Sequence, residues 1–319
     1  MPDRDTTGMA GSNLTKFTAF RNEDEAIAML ESIRWPNGAA CPHCGGADPY
    51  KLTPKATTTT RTQKGLWKCR ACRKKFTAKV GTIFESSHIP VSKWLMAVHL
   101  LMASKKGMSA HQLHRMLGVT YRAAWFMAHR LRHAAAQDHG LFSGVVEMDE
   151  TYVGGKRRNT RRGRPGPDSH KVPVVALVER GGKVTAFPVE RVTSNTLKAA
   201  LRKHATQDAQ IMTDDFAAYQ QATEGYRHDS VKHMAKEYVR GEVHTNTVEG
   251  FFSLLKRGIN GTFHHVSKGH LHRYCDEFAF RYSNREAVGV TDEDRARLLV
   301  RSGEGKRLTF KQPSGTRAA

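Results

Sequence analysis

The residues best suited to chemistry in this chain are carboxylates in three apolar settings and four cysteines in two close pairs. The first acids lie in Val145-Val146-Glu147-Met148-Asp149-Glu150-Thr151-Tyr152-Val153, a β-rich run in which Asp149 shares a face with Glu147 while Glu150 takes the other. An acid buried inside a strand is costly unless it has a partner such as a metal ion. The second group, Asp214-Asp215, ends the apolar run Ile211-Met212-Thr213. The third is His244-Thr245-Asn246-Thr247-Val248-Glu249-Gly250-Phe251-Phe252, continuing to Lys256. On a helix Glu249 and Lys256 share a face, as do Asn246 and Glu249. Carboxylates from two strand ends and a helix can hold two Mg²⁺ ions about 3.5–4 Å apart, one activating a water or a 3′-hydroxyl and the other stabilising the leaving oxygen. A lysine on that helix face could bind a phosphate. Spacing alone leaves solvated surface acids as an equal alternative.

The cysteines carry a sharper signal. Cys41-Pro42-His43-Cys44 and Cys69-Arg70-Ala71-Cys72 are separated by 24 residues, and two residues between thiolates let both sulfurs reach one tetrahedral ion. Four sulfurs close the coordination shell, so this Zn²⁺ site would be structural. His43 reads as a bystander, and Cys275, alone in a helical context, as a core residue.

These groups need elements to position them. Asn22 can cap a helix whose stripe is Ala26, Met29, Leu30 and Ile33, with Glu25 in the capping-box position. Helical patterning covers 91–136, and within it Ser109 opens a short helix that ends at Gly118-Val119-Thr120, where Thr120 can cap a second. That is helix-turn-helix spacing, and it sets Tyr121, Arg122 and Trp125 early in the reading helix, with Arg130 and Arg132 available to phosphate. An ordinary helical bundle fits the same pattern. Beyond Gly144 the runs 145–153, 172–178 and 183–189 read as strands, followed by a helix over 196–204, a short buried strand over 210–213, and helices over 246–256 and 270–285.

Composition agrees with a polyanion partner. Among 319 residues, 51 Lys plus Arg oppose 30 Asp plus Glu, for a net charge of +21, and the excess favours nucleic acid because each neutralised phosphate releases a counterion. Six of the nine residues from Lys156 to Arg164 are basic, a loop expected to order on DNA through Lys156, Arg157, Arg158, Arg161 and Arg162. No apolar stretch approaches the roughly 18 residues of a membrane span, and no signal peptide opens the chain. The expected setting is a reducing one, cytoplasmic and associated with the chromosome.

Several motifs together resemble a known family. They are Trp35 to Cys44, Cys69 to Thr77, Gly81-Thr82, Met148-Asp149-Glu150-Thr151-Tyr152-Val153-Gly154-Gly155-Lys156, Thr213-Asp214, His244 to Gly258 with its Asn-Thr-Val-Glu-Gly core, and Glu277-Phe278-Ala279-Phe280-Arg281-Tyr282. From Phe17 to Arg285 the chain resembles the prokaryotic DDE transposases of the zinc-ribbon insertion-sequence family known as IS fifteen-ninety-five, or ISXO2-like. The resemblance implies a multidomain α+β protein: a zinc ribbon, a helix-turn-helix domain and an RNase H-like catalytic domain with a mixed five-stranded sheet. The boundaries expected are an N-terminal tail and helix over 1–36, the ribbon over 37–80, the helix-turn-helix over 88–140, the catalytic domain over 144–290 and a charged tail over 291–319. It further implies Asp149 and Asp214 as the first two acids, bound to Mg²⁺ or Mn²⁺, with double-stranded inverted repeats and target DNA as partners. For the third acid both Asn246 and Glu249 are available; Glu249 is favoured because Lys256 follows seven residues on, which leaves Asn246 to orient a water or phosphate. A homodimer or higher multimer is expected when two DNA ends are paired. A DNA-binding regulator without catalysis, or a nuclease without strand transfer, is the alternative.

Overall fold

A computed structural model of the chain describes residues 18–53, 64–154, 171–231 and 239–310. The basic residues Lys156, Arg157, Arg158, Arg161 and Arg162 lie outside the described residues. The chain divides into two compact units, one formed by 1–103 with 292–319 and the other by 104–291.

The first unit is built on α1 (Glu23–Arg34), α2 (Val91–Ala103) and α9 (Asp292–Ser302), with a small antiparallel sheet of β1 (Pro49–Lys51), β2 (Trp67–Cys69) and β3 (Lys75–Phe76). Asn22 caps α1 by accepting from the Asp24 N–H, and its Nδ2 reaches Glu25. Glu23, in the first turn of α1, accepts from the Val91 and Ser92 N–H groups and so satisfies the start of α2. The charged stretch beyond residue 291 contains a helix that sequence patterning did not reveal. Its Arg295 is buried and donates to the Met102 carbonyl at 2.8 Å, which closes α9 onto α2.

The second unit holds a five-stranded mixed sheet, ordered β6 (Val184–Pro188), β5 (Val172–Glu179), β4 (Val145–Val153), β7 (Gln210–Asp214), β8 (Arg227–Val231). The β4–β5 and β5–β6 pairs are antiparallel, while β4–β7 and β7–β8 are parallel. This order and mixed polarity are those of the RNase H-like sheet. β5 is apolar up to its last residue because it is covered on both faces. Strand alternation sends Val146 and Met148 to a core shared with α5 (Ser194–His204) and α6 (Ala217–Ala222). On the opposite face Val153 meets a core formed by α7 (Asn246–Gly258) and α8 (Leu271–Ser283), and Cys275 is buried there. Burial pushes its thiol pKa well up, which suits an inert core residue.

The helix-turn-helix pair, α3 (Ala110–Leu117) and α4 (Tyr121–Ala135), belongs to this second unit, whereas α2 belongs to the first. Ser109 caps α3, Gly118 takes the left-handed conformation at its end, and Thr120 caps α4 by accepting from the Ala123 N–H at 3.2 Å. α4 is fixed to α8 by a buried ion pair, Arg132 Nε to Glu277 Oε2 at 2.6 Å, with Glu277 fully buried. Arg281 Nη2 forms an ion pair with the other Glu277 oxygen, Oε1, at 3.2 Å. Arg281 also donates to the Ser104 carbonyl.

Candidate active site

Asp149 and Asp214 come together through strand register. Val145, Val146 and Glu147 of β4 stand opposite Gln210, Ile211 and Met212 of β7, and the same offset carried two residues further sets Asp149 beside Asp214. Asp214 is the last residue of β7, and Asp149, midway along β4, lies two residues past the stretch of β4 that pairs with β7. α7 supplies the third acid. Its residues Glu249, Ser253 and Lys256 line one side of an open cleft of about 840 Å³, together with Asn260 from the π-type turn over Ile259–Phe263. Asp149, Glu150 and Thr151 line the same cleft.

Electrostatics tie these acids into one cluster. Burial and then the charges of Glu150, Asp214 and Glu249 raise the Asp149 pKa to about 8, against a single opposing hydrogen bond from the Glu150 N–H at 2.7 Å. Beneath the cluster, the fully buried Tyr219 donates to Glu150 Oε2 at 2.7 Å. Its phenol is held well above its ordinary pKa by burial and then by Glu150 and Asp149. Asp214 Oδ1 accepts from the Phe216 N–H at 3.1 Å, which orders the turn into α6. Thr245 donates to Glu249 Oε1 at 2.9 Å. Asn246 is exposed at the first position of α7 and does not line the cleft, and Asp215 is exposed.

Glu147 shares the Asp149 face of β4 but is fully buried and engaged with Arg180 and the start of α7. The cleft also receives Lys106 and Arg257, neither of which sequence reading selected. Both had a faint signal, Lys106 in the Lys105-Lys106-Gly107 step ahead of the helix-turn-helix and Arg257 beside Lys256. Lys106, Lys256 and Arg257 thus bring positive charge to the cleft that the carboxylates line, which suits an anionic substrate.

Among the described residues, only the four cysteines place three or more Cys, His, Asp or Glu ligand atoms all within 4.8 Å of one another. The Sγ atoms of Cys41 and Cys72, and of Cys44 and Cys69, are 3.6 Å apart, near the ~3.8 Å edge of a tetrahedron with Zn–S bonds of about 2.3 Å. The knuckle turns close through Gly45 N–H to the Cys41 carbonyl and Cys69 N–H to the Lys74 carbonyl. The donor set fits a structural zinc ion, and Trp35, Trp67 and Phe76 pack around it.

On α4, Tyr121 is 46% exposed and stacks on His111 at 4.3 Å, and Arg122 is exposed. Trp125 is half-buried and packs on His129 and His270. The expectation that Arg130 and Arg132 reach phosphate is corrected. Arg130 is 8% exposed with its guanidinium over the Phe126 ring, and Arg132 is consumed by Glu277 and the Tyr274 ring. Both lie in the second half of α4, which is buried nearly all round, and a count of basic residues cannot reveal that.

Comparison with known proteins gives a consistent picture. Residues 141–283 match the family model described as ISXO2-like transposase domain, and residues 21–75 match the transposase zinc-ribbon domain. An uncharacterized protein in transposable element ISH50 of Halobacterium salinarum is 29% identical over 289 residues, covering 84% of this chain and 95% of that protein. Among solved structures, a chain of the simian T-cell lymphotropic virus intasome in complex with PP2A regulatory subunit B56 gamma is similar at 17% identity and a TM-score of 0.28, covering 56% of this chain and 66% of that one. The pre-cleavage Mos1 transpososome is similar at 13% identity and a TM-score of 0.26, with 66% and 78% covered.

Proposed function

The chain belongs to the ISXO2-like transposase family, and from that premise we propose that it binds the terminal inverted repeats of an insertion sequence, nicks the DNA at the element ends and joins the exposed 3′-hydroxyls to target DNA. The observation that carries this reading is the meeting of Asp149, Asp214 and Glu249, from two strands and a helix, in one mutually repelling cluster, with Lys256 lining the same cleft as Asp149 and Glu249. Such a cluster is costly unless cations accompany it.

Asp149, Asp214 and Glu249 would hold Mg²⁺ or Mn²⁺. Divalent ions bound there supply activation of a water or 3′-hydroxyl and stabilisation of the leaving oxygen. Glu150, fixed by Tyr219, adds negative charge from the other face of β4. Lys256, Lys106 and Arg257 hold the phosphodiester, and Tyr121, Arg122 and Trp125 engage the DNA end. Both chemical steps are in-line phosphoryl transfers and need no covalent protein intermediate. Pairing two ends calls for two or more copies of the chain.

The test is a strand-transfer assay with an end oligonucleotide, a target duplex and Mg²⁺. Products joined to target are expected. Cut ends alone would identify a nuclease, and binding without cutting a regulator. Asp149→Asn and Asp214→Asn should each abolish nicking while leaving end binding largely intact, and nicking retained by either variant would refute the site. Glu249→Ala beside Asn246→Ala decides the third ligand, and loss of nicking is expected only in the former.

A further inference from the structure

Glu249 must keep a fixed relation to Asp149, although the two lie on different elements and far apart in sequence. The chain contains a device for this. Glu147, two residues before Asp149 on the same strand face, is 0% exposed. Its Oε2 accepts from the Thr247 N–H at 2.8 Å and the Val248 N–H at 3.0 Å, and its Oε1 accepts from the Thr247 hydroxyl at 2.8 Å. The two N–H groups belong to the first turn of α7, where they have no partner inside the helix and favour a negative charge. The helix does not cap itself: Thr245, at the N-cap, makes no side-chain capping bond and instead donates to Glu249. The cap is supplied by the strand that carries Asp149.

Arg180 completes the arrangement. Its Nε donates to Glu147 Oε1 at 2.7 Å, and its other nitrogens donate to the Glu242 carbonyl at 2.7 Å and the His244 carbonyl at 3.1 Å. The segment entering α7 is thereby pinned to the end of β5, and the buried Glu147 side chain has a cationic partner. We propose that Glu147 is a positioning residue: with Arg180 it tethers the first turn of α7 to β4 and so sets Glu249, and the divalent-ion site it shares, against Asp149. The proposal rests on the reading of Asp149, Asp214 and Glu249 as ion ligands.

The test compares wild type with Glu147→Gln and Thr247→Val in the full chain. Three quantities are read: Mn²⁺ affinity by paramagnetic-resonance titration, amide hydrogen exchange at Thr247 and Val248, and end-oligonucleotide binding. Residues that orient metal ligands change affinity by about 10–100-fold when altered, so Glu147→Gln should weaken Mn²⁺ binding at least tenfold and speed exchange at both amides. End binding should stay within about twofold, because the reading helix is untouched. Thr247→Val, which removes one hydroxyl and leaves the carboxylate and backbone caps, should shift both readouts in the same direction by a smaller factor; it decides the matter alone if Glu147→Gln does not fold. Unchanged Mn²⁺ affinity in both variants overturns the tether. Weakening in Glu147→Gln with no change in Thr247→Val also overturns it, since Glu147 would then act as a ligand itself. A wild type that binds no Mn²⁺ refutes the ligand reading instead, and is distinguishable because the amide exchange still reports the cap.

Discussion

Replacing Asp149 by asparagine should make this protein more stable while destroying its chemistry. An ordinary aspartate titrates at 3.8, whereas burial and three neighbouring carboxylates raise Asp149 to about 8. Below pH 3.8 the group is protonated in both folded and unfolded chains and contributes nothing to the pH dependence. Between about pH 4 and 8 the unfolded chain releases this proton and the folded chain keeps it, so stability falls with rising pH. The slope approaches about 1.4 kcal/mol per pH unit, for a total of roughly 5 kcal/mol. Asp149 retains an opening to the cleft, and solvent screening trims this to about 3–4 kcal/mol. An asparagine side chain at this position keeps the shape without the charge and escapes the penalty. Thermal unfolding in magnesium-free buffer, without a chelator that would also strip the cysteine site, should therefore show Asp149→Asn melting above wild type at about pH 8. The gap should close as the pH falls toward about 4. Added Mg²⁺ should raise the wild-type midpoint by mass action and leave the variant nearly unmoved. A variant no more stable than wild type at the alkaline end, or a gap that ignores pH, would refute the account of the acidic cluster.

Three further outcomes are expected. Cys69→Ser should lower bound zinc, measured by elemental analysis, from about one ion per chain to near zero, and should weaken end binding; unchanged zinc content would remove the ribbon from the account. Glu277→Gln leaves Arg132 and Arg281 buried without a counter-charge and should cost about 3 kcal/mol of stability in urea unfolding, with a loss below about 1 kcal/mol counting against the pair as the α4–α8 fixture. Lys106→Gln should weaken end binding across all sequences alike and reduce the slope of log affinity on log salt by about one, whereas an unchanged slope would place Lys106 away from phosphate.

Much of the sheet was legible because its strands are apolar runs of the right length: the reading of 145–153 coincides with β4, and those of 172–178 and 183–189 differ from β5 and β6 by a residue at their ends. β8, Arg-His-Asp-Ser-Val, escaped because it is polar and only half-buried, so nothing in its pattern alternates. α9 escaped because one of its inward residues is an arginine, whose burial depends on a carbonyl of α2. Within the cleft, the acids stood out as charges in apolar surroundings. The capping task of Glu147 did not, since it depends on contact with a helix that begins 99 residues later, at Asn246. Arg130 and Arg132 show the converse, in which charge type was legible and burial was not.

The offset between β4 and β7 has a consequence for how such a protein can change. The ladder places Asp149 next to Asp214 by matching backbone to backbone, so the number of residues threaded between the two strands has no bearing on where the aspartates finish. The connections after β4 and β5 can lengthen, shorten or exchange their charges while the neighbouring strand ends stay put.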